Sequence, residues 1–307
     1  MAKHFLSIPD LDKDTAWALV RRADEMKRTR HRGDVLRGET VILIFEKAST
    51  RTRVSFEVGV RQLGGNSLLM TPAESQLGRS EPLADTARVL SRYARGLVVR
   101  TFGQHKLEEL ARHADIPVIN ALSDLYHPCQ VMSDMLTMYE RTPDLGALRV
   151  AWVGDGNNMA NSFINAAALF GFELRLACPQ GYDPDPAVLD AARSRGARLV
   201  LTRDPREACA GAHYINTDVW ASMGQEQEQK RRELAFADHQ VNAALLAVAD
   251  PQARVMHCLP AHRGEEVSAE VLDGPRSIIF DQAENRLHMQ KAIMEWLFTA
   301  EDGETRA

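Results

Sequence analysis

The chain has 307 residues, of which 45% are hydrophobic and 26% are charged, proportions that exclude a disordered or fibrous chain. Its 37 Lys and Arg against 42 Asp and Glu give a formal net charge of −5. A net acidic chain is not expected to bind nucleic acid, so any functional arginine should act locally. At roughly 100–200 residues per domain, the length predicts two domains.

The N-terminal sequence and the cysteines indicate a cytoplasmic protein. The first residues include early charges and no apolar stretch typical of a secretory signal. The longest aliphatic run near a strand signal, 41–45, is far short of the ~20 residues that span a membrane. Cys129, Cys178, Cys209 and Cys258 include no C-x-x-C pair, so we expect reduced thiols and no membrane partner.

Short β-rich runs alternate with helical patterns along the whole chain. Apolar residues recur at helical spacing from Ala16 to Met26, which predicts a first helix over about 13–30. Further helices are expected at about 52–63 and 129–140. The predicted strands are 41–45, 67–70, 97–99, 117–119, 148–153, 174–177, 198–201, 213–215, 254–257 and 277–280. Repeated β-α-β units of this kind predict parallel sheets with helices on both faces.

A polar turn cluster at 141–146 separates two blocks of β-α-β units. The sequence therefore predicts an α/β protein of two doubly wound domains. Each has a central, mostly parallel sheet flanked by helices, and interdomain helices link the two. Because ligands bind at the carboxyl ends of the strands in such sheets, the residues that follow each strand are the candidate site residues.

The first strand is followed by a helix start that carries five consecutive polar side chains. Ser49, Thr50 and Thr52 supply hydroxyl groups beside free backbone N–H groups, and the helix dipole favours an anion there. Arg51 and Arg53 add guanidinium groups that suit phosphate oxygens. The segment predicts an anion site, and the alternative is a plain N-cap with two solvated arginines.

Other polar residues follow later strands of the first block. Arg100 lies at the end of the strand at 97–99, where a surface arginine is the alternative. His127 and Gln130 flank a proline that can open a helix. By itself, His127 is also compatible with a purely structural role.

The second block contains a glycine turn after its first strand. Gly154 and Gly156 resemble the first two glycines of the dinucleotide fingerprint, but Met159 occupies the third position. The next strand is not followed by an acid that could hold a ribose, so a nicotinamide cofactor is not expected. Asn157 or Asn158 could instead contact a ligand carboxylate.

Two more strand ends carry ionisable groups. Asp218 and Ser222 follow the strand at 213–215 and would suit an ammonium group, with a polar loop as the alternative. His257 and Cys258 suggest zinc, with His262 nearby. Adjacent strand residues should point to opposite sides, and the paired spacings of a zinc site are absent, so we expect no metal.

Taken together, these motifs resemble those of the aspartate and ornithine carbamoyltransferase family. Ser-Thr-Arg-Thr-Arg at 49–53 and His-Pro-Cys-Gln at 127–130 are similar to its two carbamoyl-phosphate motifs. The segments 218–224 and 257–260 resemble its ornithine-side motifs, not the aspartate-side pattern. The resemblance covers about 1–300. It implies carbamoyl transfer to the δ-amine of ornithine, giving citrulline and phosphate, without metal or other cofactor.

The resemblance also implies a role for each part of the chain. Domain 1–140, completed by a helix at about 284–300, would bind carbamoyl phosphate, and domain 147–283 would bind ornithine. The implied carbamoyl-phosphate residues are Ser49, Thr50, Arg51, Thr52, Arg53, Gln76, Arg100, His127, Gln130, Cys258, Leu259 and Arg286. The implied ornithine residues are Asn158, Asp218, Ser222 and Met223. The expected catalytic residues are Arg51, Arg100, His127 and Cys258.

The family resemblance implies a homo-oligomer, a trimer or a dodecamer, in which Gln76 reaches a neighbouring subunit's site. Arginine biosynthesis is the expected pathway. Related acceptors, putrescine or an acylated ornithine, are the alternative substrates. Aspartate is disfavoured because Asp218 would repel a dicarboxylate. A dehydrogenase and a non-catalytic binding module are further alternatives, and the presence of Arg51 and Cys258 counts against the latter.

Overall fold

The computed structural model describes residues 2–71, 81–221 and 228–299, and the structural statements below refer to these residues. The chain divides into two compact units. Unit 1 comprises Met1–Leu136 and Glu284–Ala307, and unit 2 comprises Thr137–Ala283. Each unit contains a parallel sheet with helices, which confirms the predicted α/β fold class.

Unit 1 contains a four-stranded sheet in the order β2-β1-β3-β4, with every pair parallel. Its elements in the first stretch of chain are α1 (Lys13–Arg28), β1 (Thr40–Phe45), α2 (Thr50–Gln62), β2 (Asn66–Met70), α3 (Leu83–Leu90), β3 (Gly96–Arg100), α4 (Gln104–His113), β4 (Val118–Leu122) and α5 (Pro128–Tyr139). The strand order reverses between β1 and β3, so their carboxyl ends flank the crevice where such sheets bind ligands.

The strands β1 and β3 lie at the centre of this sheet and are buried on both faces. Near-continuous apolar sequence is what such strands require, because helices cover both sides of the sheet. A later helix, α12 (Ile279–Thr299), completes the unit. Its Lys291 is fully buried and donates to the carbonyl of His31 at 2.7 Å and to Oε1 of Gln62 at 2.9 Å. These hydrogen bonds attach α12 to the first stretch of the chain.

Unit 2 contains a five-stranded parallel sheet in the order β7-β6-β5-β8-β9. Its elements are β5 (Arg149–Val153), α6 (Asn158–Phe170), β6 (Glu173–Ala177), α7 (Pro186–Ser194), β7 (Arg198–Thr202), α8 (Pro205–Cys209), β8 (Tyr214–Thr217), α9 (Gln229–Phe236), α10 (Ala243–Val248), β9 (Arg254–His257), α11 (Ala269–Leu272) and the first turn of α12. The order reverses between β5 and β8, whose carboxyl ends therefore flank the second crevice.

One predicted strand is wrong. The run 277–280 forms only an isolated bridge from Ser277 to Val255, and α12 begins at Ile279. A short apolar run cannot be assigned to strand or helix from periodicity alone, and here it opens a long helix. No helix within the described ranges combines the length and the apolar character that crossing a membrane requires.

Candidate active site

The start of α2 lies directly after β1 and is capped by Ser49, whose hydroxyl accepts a hydrogen bond from the Thr52 N–H at 3.2 Å. Thr52 is buried and Thr50 is exposed. The first N–H groups of a helix have no partner within the helix and, with the helix dipole, favour an anion. The segment thus has the local geometry of an anion site.

Arg286 of α12 joins two motifs that are far apart in the sequence. Its Nη2 donates to the Thr52 hydroxyl at 2.5 Å, and its Nη1 donates to Oε1 of Gln130 at 2.7 Å. The amide of Gln130 donates in turn to Asp134 at 2.8 Å. Because Arg286 is buried, this network fixes one guanidinium beside the start of α2.

His127 and Arg100 are buried in the same unit, Arg100 as the last residue of β3 and His127 just before α5. Burial, and then the positive charges of Arg286 and Arg100, hold the pKa of His127 well below its usual value. The imidazole is therefore neutral at neutral pH. It offers one N–H donor without adding a charge.

The two arginines of the α2 motif have different surroundings. Arg51 is half-buried, and its Nε has no hydrogen-bond partner among the described residues. Arg53 is exposed, and its Nε pairs with Glu57 one helical turn later at 2.8 Å. The structure does not bring Arg53 to the buried groups, because its position on the helix faces solvent. Gln76 lies outside the described residues.

In unit 2, the glycines after β5 serve chain packing. The Gly156 N–H donates to the carbonyl of Tyr182 at 2.9 Å. A Cβ atom at Gly156 would lie 2.2 Å from the backbone nitrogen of Pro184, so no larger residue fits there. Gly154 has φ of +135°, a conformation that favours glycine. The dinucleotide-like pattern is explained by this close approach of two backbone segments.

Asp218 follows β8 and is the centre of the polar cluster in unit 2. Its Oδ1 accepts hydrogen bonds from the Cys258 thiol at 3.1 Å and the Val219 N–H at 2.8 Å. Its Oδ2 accepts from the Asn157 amide at 2.8 Å. Asn157, which also caps α6, therefore orients Asp218, and the predicted Asn158 is the first residue of that helix. Ser222 and Met223 lie outside the described residues.

The turn after β9 places Cys258 next to Asp218. Nδ1 of His257 accepts from the Leu259 N–H at 2.8 Å, and Nε2 lies 3.1 Å from Oε1 of the fully buried Glu266. Leu259 has φ of +61°, in the left-handed region. The expectation that His257 and Cys258 point to opposite sides is wrong, since β9 ends at His257 and the pleat does not continue.

Two groups of side chains have metal-ligand chemistry. Donor atoms of Asp218, His257 and Cys258 lie within 4.8 Å of one another, as do those of the group His262, Glu265 and Glu266. In the first group, both ring nitrogens of His257 and both carboxylate oxygens of Asp218 have protein partners. The same atoms therefore already take part in hydrogen bonds within the protein.

A buried ion pair near Asp218 was not predicted from the sequence. Asp155 follows β5, and its Oδ2 accepts from Nη1 of Arg232 on α9 at 2.7 Å. For Asp155 the sequence gives a weak indication of this role, because the residue lies between the two glycines of the turn. For Arg232 the sequence gives no such indication, since the residue belongs to a charged helical run in which any arginine could have faced solvent.

Comparison with known proteins identifies the class of this chain. Residues 3–140 match the family model described as aspartate/ornithine carbamoyltransferase, carbamoyl-P binding domain. Residues 147–297 match the model described as the Asp/Orn binding domain of the same family. The chain belongs to the aspartate/ornithine carbamoyltransferase family and is an enzyme of carbamoyl transfer.

The relatives belong to the ornithine branch of this family. An ornithine carbamoyltransferase from Nitratidesulfovibrio vulgaris is 65% identical over 299 residues, which are 97% of this chain and 100% of the relative. The crystal structure of ornithine carbamoyltransferase from Thermus thermophilus has a TM-score of 0.89 and 43% identity, covering 97% of this chain and 99% of that one. The anabolic ornithine carbamoyltransferase from Campylobacter jejuni has a TM-score of 0.93 and 38% identity, with coverage of 97% and 100%.

Proposed function

We propose that unit 1 binds carbamoyl phosphate and unit 2 binds L-ornithine, so that the enzyme transfers the carbamoyl group to the δ-amine of ornithine. The products are L-citrulline and phosphate. The assignment of substrates to units depends on one observation, the opposite charge of the two strand-end clusters. In unit 1, Arg51 lies in the first turn of α2, Arg100 ends β3, and Arg286 donates to Thr52, whereas the buried carboxylates Asp155 and Asp218 follow β5 and β8 in unit 2.

The phosphate group of carbamoyl phosphate binds at the start of α2. Ser49, Thr50 and the backbone N–H groups supply donors, and Arg51 supplies a charged fork. Arg286, held by Thr52 and Gln130, carries a second charge. As the bond from carbon to the phosphate oxygen breaks, these groups stabilise the charge that accumulates on the leaving phosphate.

The carbamoyl oxygen becomes negative when the amine attacks. Arg100 and neutral His127 donate to it, and each such donor is typically worth ~3–4 kcal/mol of transition-state stabilisation. A neutral His127 suits this task. An imidazolium would be disfavoured by burial and repelled by the charges of Arg286 and Arg100. Holding both substrates in reacting geometry supplies a further ~7–11 kcal/mol.

Unit 2 holds ornithine and receives its proton. Asn158, Asp218, Ser222 and Met223 are the proposed contacts to the α-amino and α-carboxyl groups. The δ-amine, with an ordinary pKa near ~10.4, must lose a proton before its lone pair can form the C–N bond. Because the Cys258 thiol donates to Asp218, the sulfur can accept this proton only as it passes its own proton to Oδ1 of Asp218, which is the final acceptor. The Leu259 segment lies beside the same reacting groups.

The cellular setting is also part of the proposal. We place the enzyme in arginine biosynthesis, in keeping with the anabolic similar enzyme from Campylobacter jejuni. The four cysteines are free thiols, which supports a cytoplasmic location. A homo-oligomer, in the first instance a trimer, is supported by exposed apolar side chains on β2 and α2 of unit 1. These include Leu68, 53% exposed, and Val54, 52% exposed.

A single assay tests the reaction and its acceptor. The purified enzyme is supplied with carbamoyl phosphate and, side by side, with ornithine, putrescine, acetylornithine or aspartate, and the carbamoylated product is measured. Ornithine should give citrulline at a rate that exceeds each alternative by several orders of magnitude. Faster turnover of putrescine or acetylornithine would contradict the proposal, and no feature of the described residues favours either one.

A further inference from the structure

Arg232 connects three elements around Asp218 in unit 2. It is 6% exposed, and its Nη1 donates both to Asp155 after β5 and to the carbonyl of Trp220 after β8, each at 2.7 Å. Its guanidinium carbon lies 4.9 Å from the centre of the Tyr182 ring. An arginine with these contacts on every side is held in one position and holds its partners in turn.

The segment held by Arg232 includes Asp218. Trp220 lies two residues after Asp218, and its ring packs on Phe236 of α9, with ring centres 5.9 Å apart. Two residues of α9 therefore contact Trp220, Arg232 at its carbonyl and Phe236 at its ring. The contacts of α9 hold the backbone just after Asp218, and the Asn157 amide donates to Oδ2 of its carboxylate. Together they fix the position of the Asp218 side chain.

Arg232 also determines the charge around Asp218. Burial raises the pKa of Asp155, the Arg232 charge opposes that shift, and the nearby Asp218 charge adds to it. Two carboxylates thus lie close enough to repel each other, and Arg232 is paired with only one of them. Nε of Arg232 also lies 3.4 Å from Oε2 of Glu228, so Arg232 is paired with Asp155 and Glu228, and Asp218 has no cationic partner among these contacts.

We propose that Arg232 is a positioning residue of the ornithine site, which holds the Asp218–Trp220 segment in place and cancels the charge of Asp155. This inference rests on the proposed function, because it treats the ornithine ammonium as the ligand of Asp218. Arg232 does not touch the substrate in this assignment. It acts through Trp220 and Asp155, and its effect should be confined to the ornithine half of the reaction.

The test compares three variants by kinetics and binding. Arg232→Gln removes the charge and the bridge. Asp155→Asn with Arg232→Gln removes the bridge without leaving an unpaired carboxylate. Arg231→Gln is the matched control, because Arg231 is the exposed neighbour on the same helix. The KM for ornithine and kcat are measured at saturating carbamoyl phosphate, and carbamoyl-phosphate binding to the free enzyme is measured by calorimetry.

Arg232→Gln should raise the KM for ornithine about tenfold or more, because breaking a buried charge pair is costly. Carbamoyl-phosphate affinity should stay within about twofold of the wild type, and kcat should change less than KM. Arg231→Gln should match the wild type. The double variant should fold even where the single variant does not, and should recover only part of the KM, because the Asp155 charge is gone but the Trp220 carbonyl still lacks its donor.

Three results would overturn the inference. They are a wild-type KM for ornithine in folded Arg232→Gln, its full restoration in the double variant, or an equal loss of carbamoyl-phosphate binding. Restoration would reduce Arg232 to charge neutralisation, and an equal loss would indicate a general structural defect. A wild-type enzyme that forms no citrulline would instead contradict the proposed function itself.

Discussion

The two strand-end clusters of this enzyme are built in opposite ways. In unit 1, the charged groups are arginines brought in from separate parts of the chain, and Arg286 reaches Thr52 across 234 positions of sequence. In unit 2, the central group is a carboxylate, and Asp218 is held by side chains that follow β5 and β9. Each cluster carries the charge opposite to the group that it is proposed to bind.

The difference shows two solutions to the problem of burying charge. In unit 1, His127 is neutral, so it adds no third positive charge that would repel Arg100 and Arg286. Unit 2 neutralises one of its two carboxylates with Arg232 and leaves the other available. In both units these arrangements limit the buried charge, because an unbalanced buried charge is strongly destabilising.

The largest expected effect separates the two arginines at the start of α2. Arg51→Ala should lower kcat/KM for carbamoyl phosphate by about 1000-fold, since it removes a charged donor from the leaving phosphate. Arg53→Ala is the matched control, because Arg53 is exposed and paired with Glu57. It should change kcat/KM by only a few-fold. Comparable losses in the two variants would show that the exposed arginine turns inward on binding.

The next effect concerns the carboxylate of unit 2. Asp218→Asn keeps the shape of the side chain but removes its charge, and should lower kcat/KM for ornithine roughly 100-fold. Binding of carbamoyl phosphate to the free enzyme should remain unchanged, as measured by calorimetry. Asp273→Asn, at an exposed ion pair with Arg263, is the control and should behave as wild type. Weaker carbamoyl-phosphate binding in Asp218→Asn would contradict the assignment of one substrate to each unit.

A smaller effect is expected at the thiol. Cys258→Ala removes the donor to Asp218 and should raise the KM for ornithine roughly tenfold. Cys258→Ser retains a donor and should lose less. Steady-state kinetics with each substrate varied in turn would measure both variants. If Cys258→Ala altered only the affinity for carbamoyl phosphate, the placement of this thiol on the ornithine side would be wrong.

The smallest effect concerns the stability of unit 1 in acid, which depends on a second buried histidine of that unit. Burial, together with the charge of Lys291, lowers the pKa of His288 on α12 to about 4. Because the unfolded chain takes up this proton near pH 6.5 and the folded chain only near pH 4, stability is lost as the pH falls through that range. His288→Gln should remove roughly 1–2 kcal/mol of this loss, allowing for solvent screening.

Urea unfolding at pH 7 and at pH 5 measures this prediction. The drop in midpoint between the two pH values should be smaller in His288→Gln than in the wild type. His105→Gln, at an exposed position in the first turn of α4, serves as the control and should leave the drop unchanged. An equal drop in wild type and His288→Gln would show that other groups account for the acid sensitivity.

The sheet architecture could be predicted from the sequence because it depends on local patterns. Buried parallel strands need continuous apolar runs, so nine of the ten predicted strands overlap the strands of the structure, as 254–257 does along its whole length. The run 277–280 failed because an apolar segment of that length does not reveal its period. Helix starts were predictable where a cap such as Ser49 follows a strand.

The side-chain contacts of the site were less predictable, since they depend on residues that are distant in sequence. Nothing local in α12 indicates that Arg286 lies against Thr52 and Gln130, and only the family resemblance pointed to it. Between the adjacent Asn157 and Asn158, the sequence offers no basis for choosing the one that orients Asp218. The role of Arg232 could not be predicted from the sequence either, because the burial of its side chain depends on the fold around it.

The division of unit 1 into two stretches has a consequence for biosynthesis. The polypeptide that supplies most of α12 is translated after all of unit 2. Until it emerges from the ribosome, the first stretch lacks both the guanidinium of Arg286 and the buried ammonium of Lys291. Unit 2 is one continuous stretch and can complete its sheet earlier. On the proposed assignment, catalytic competence is therefore acquired only after α12 has been synthesised, and a product interrupted before α12 would contain the proposed ornithine unit without a complete carbamoyl-phosphate unit.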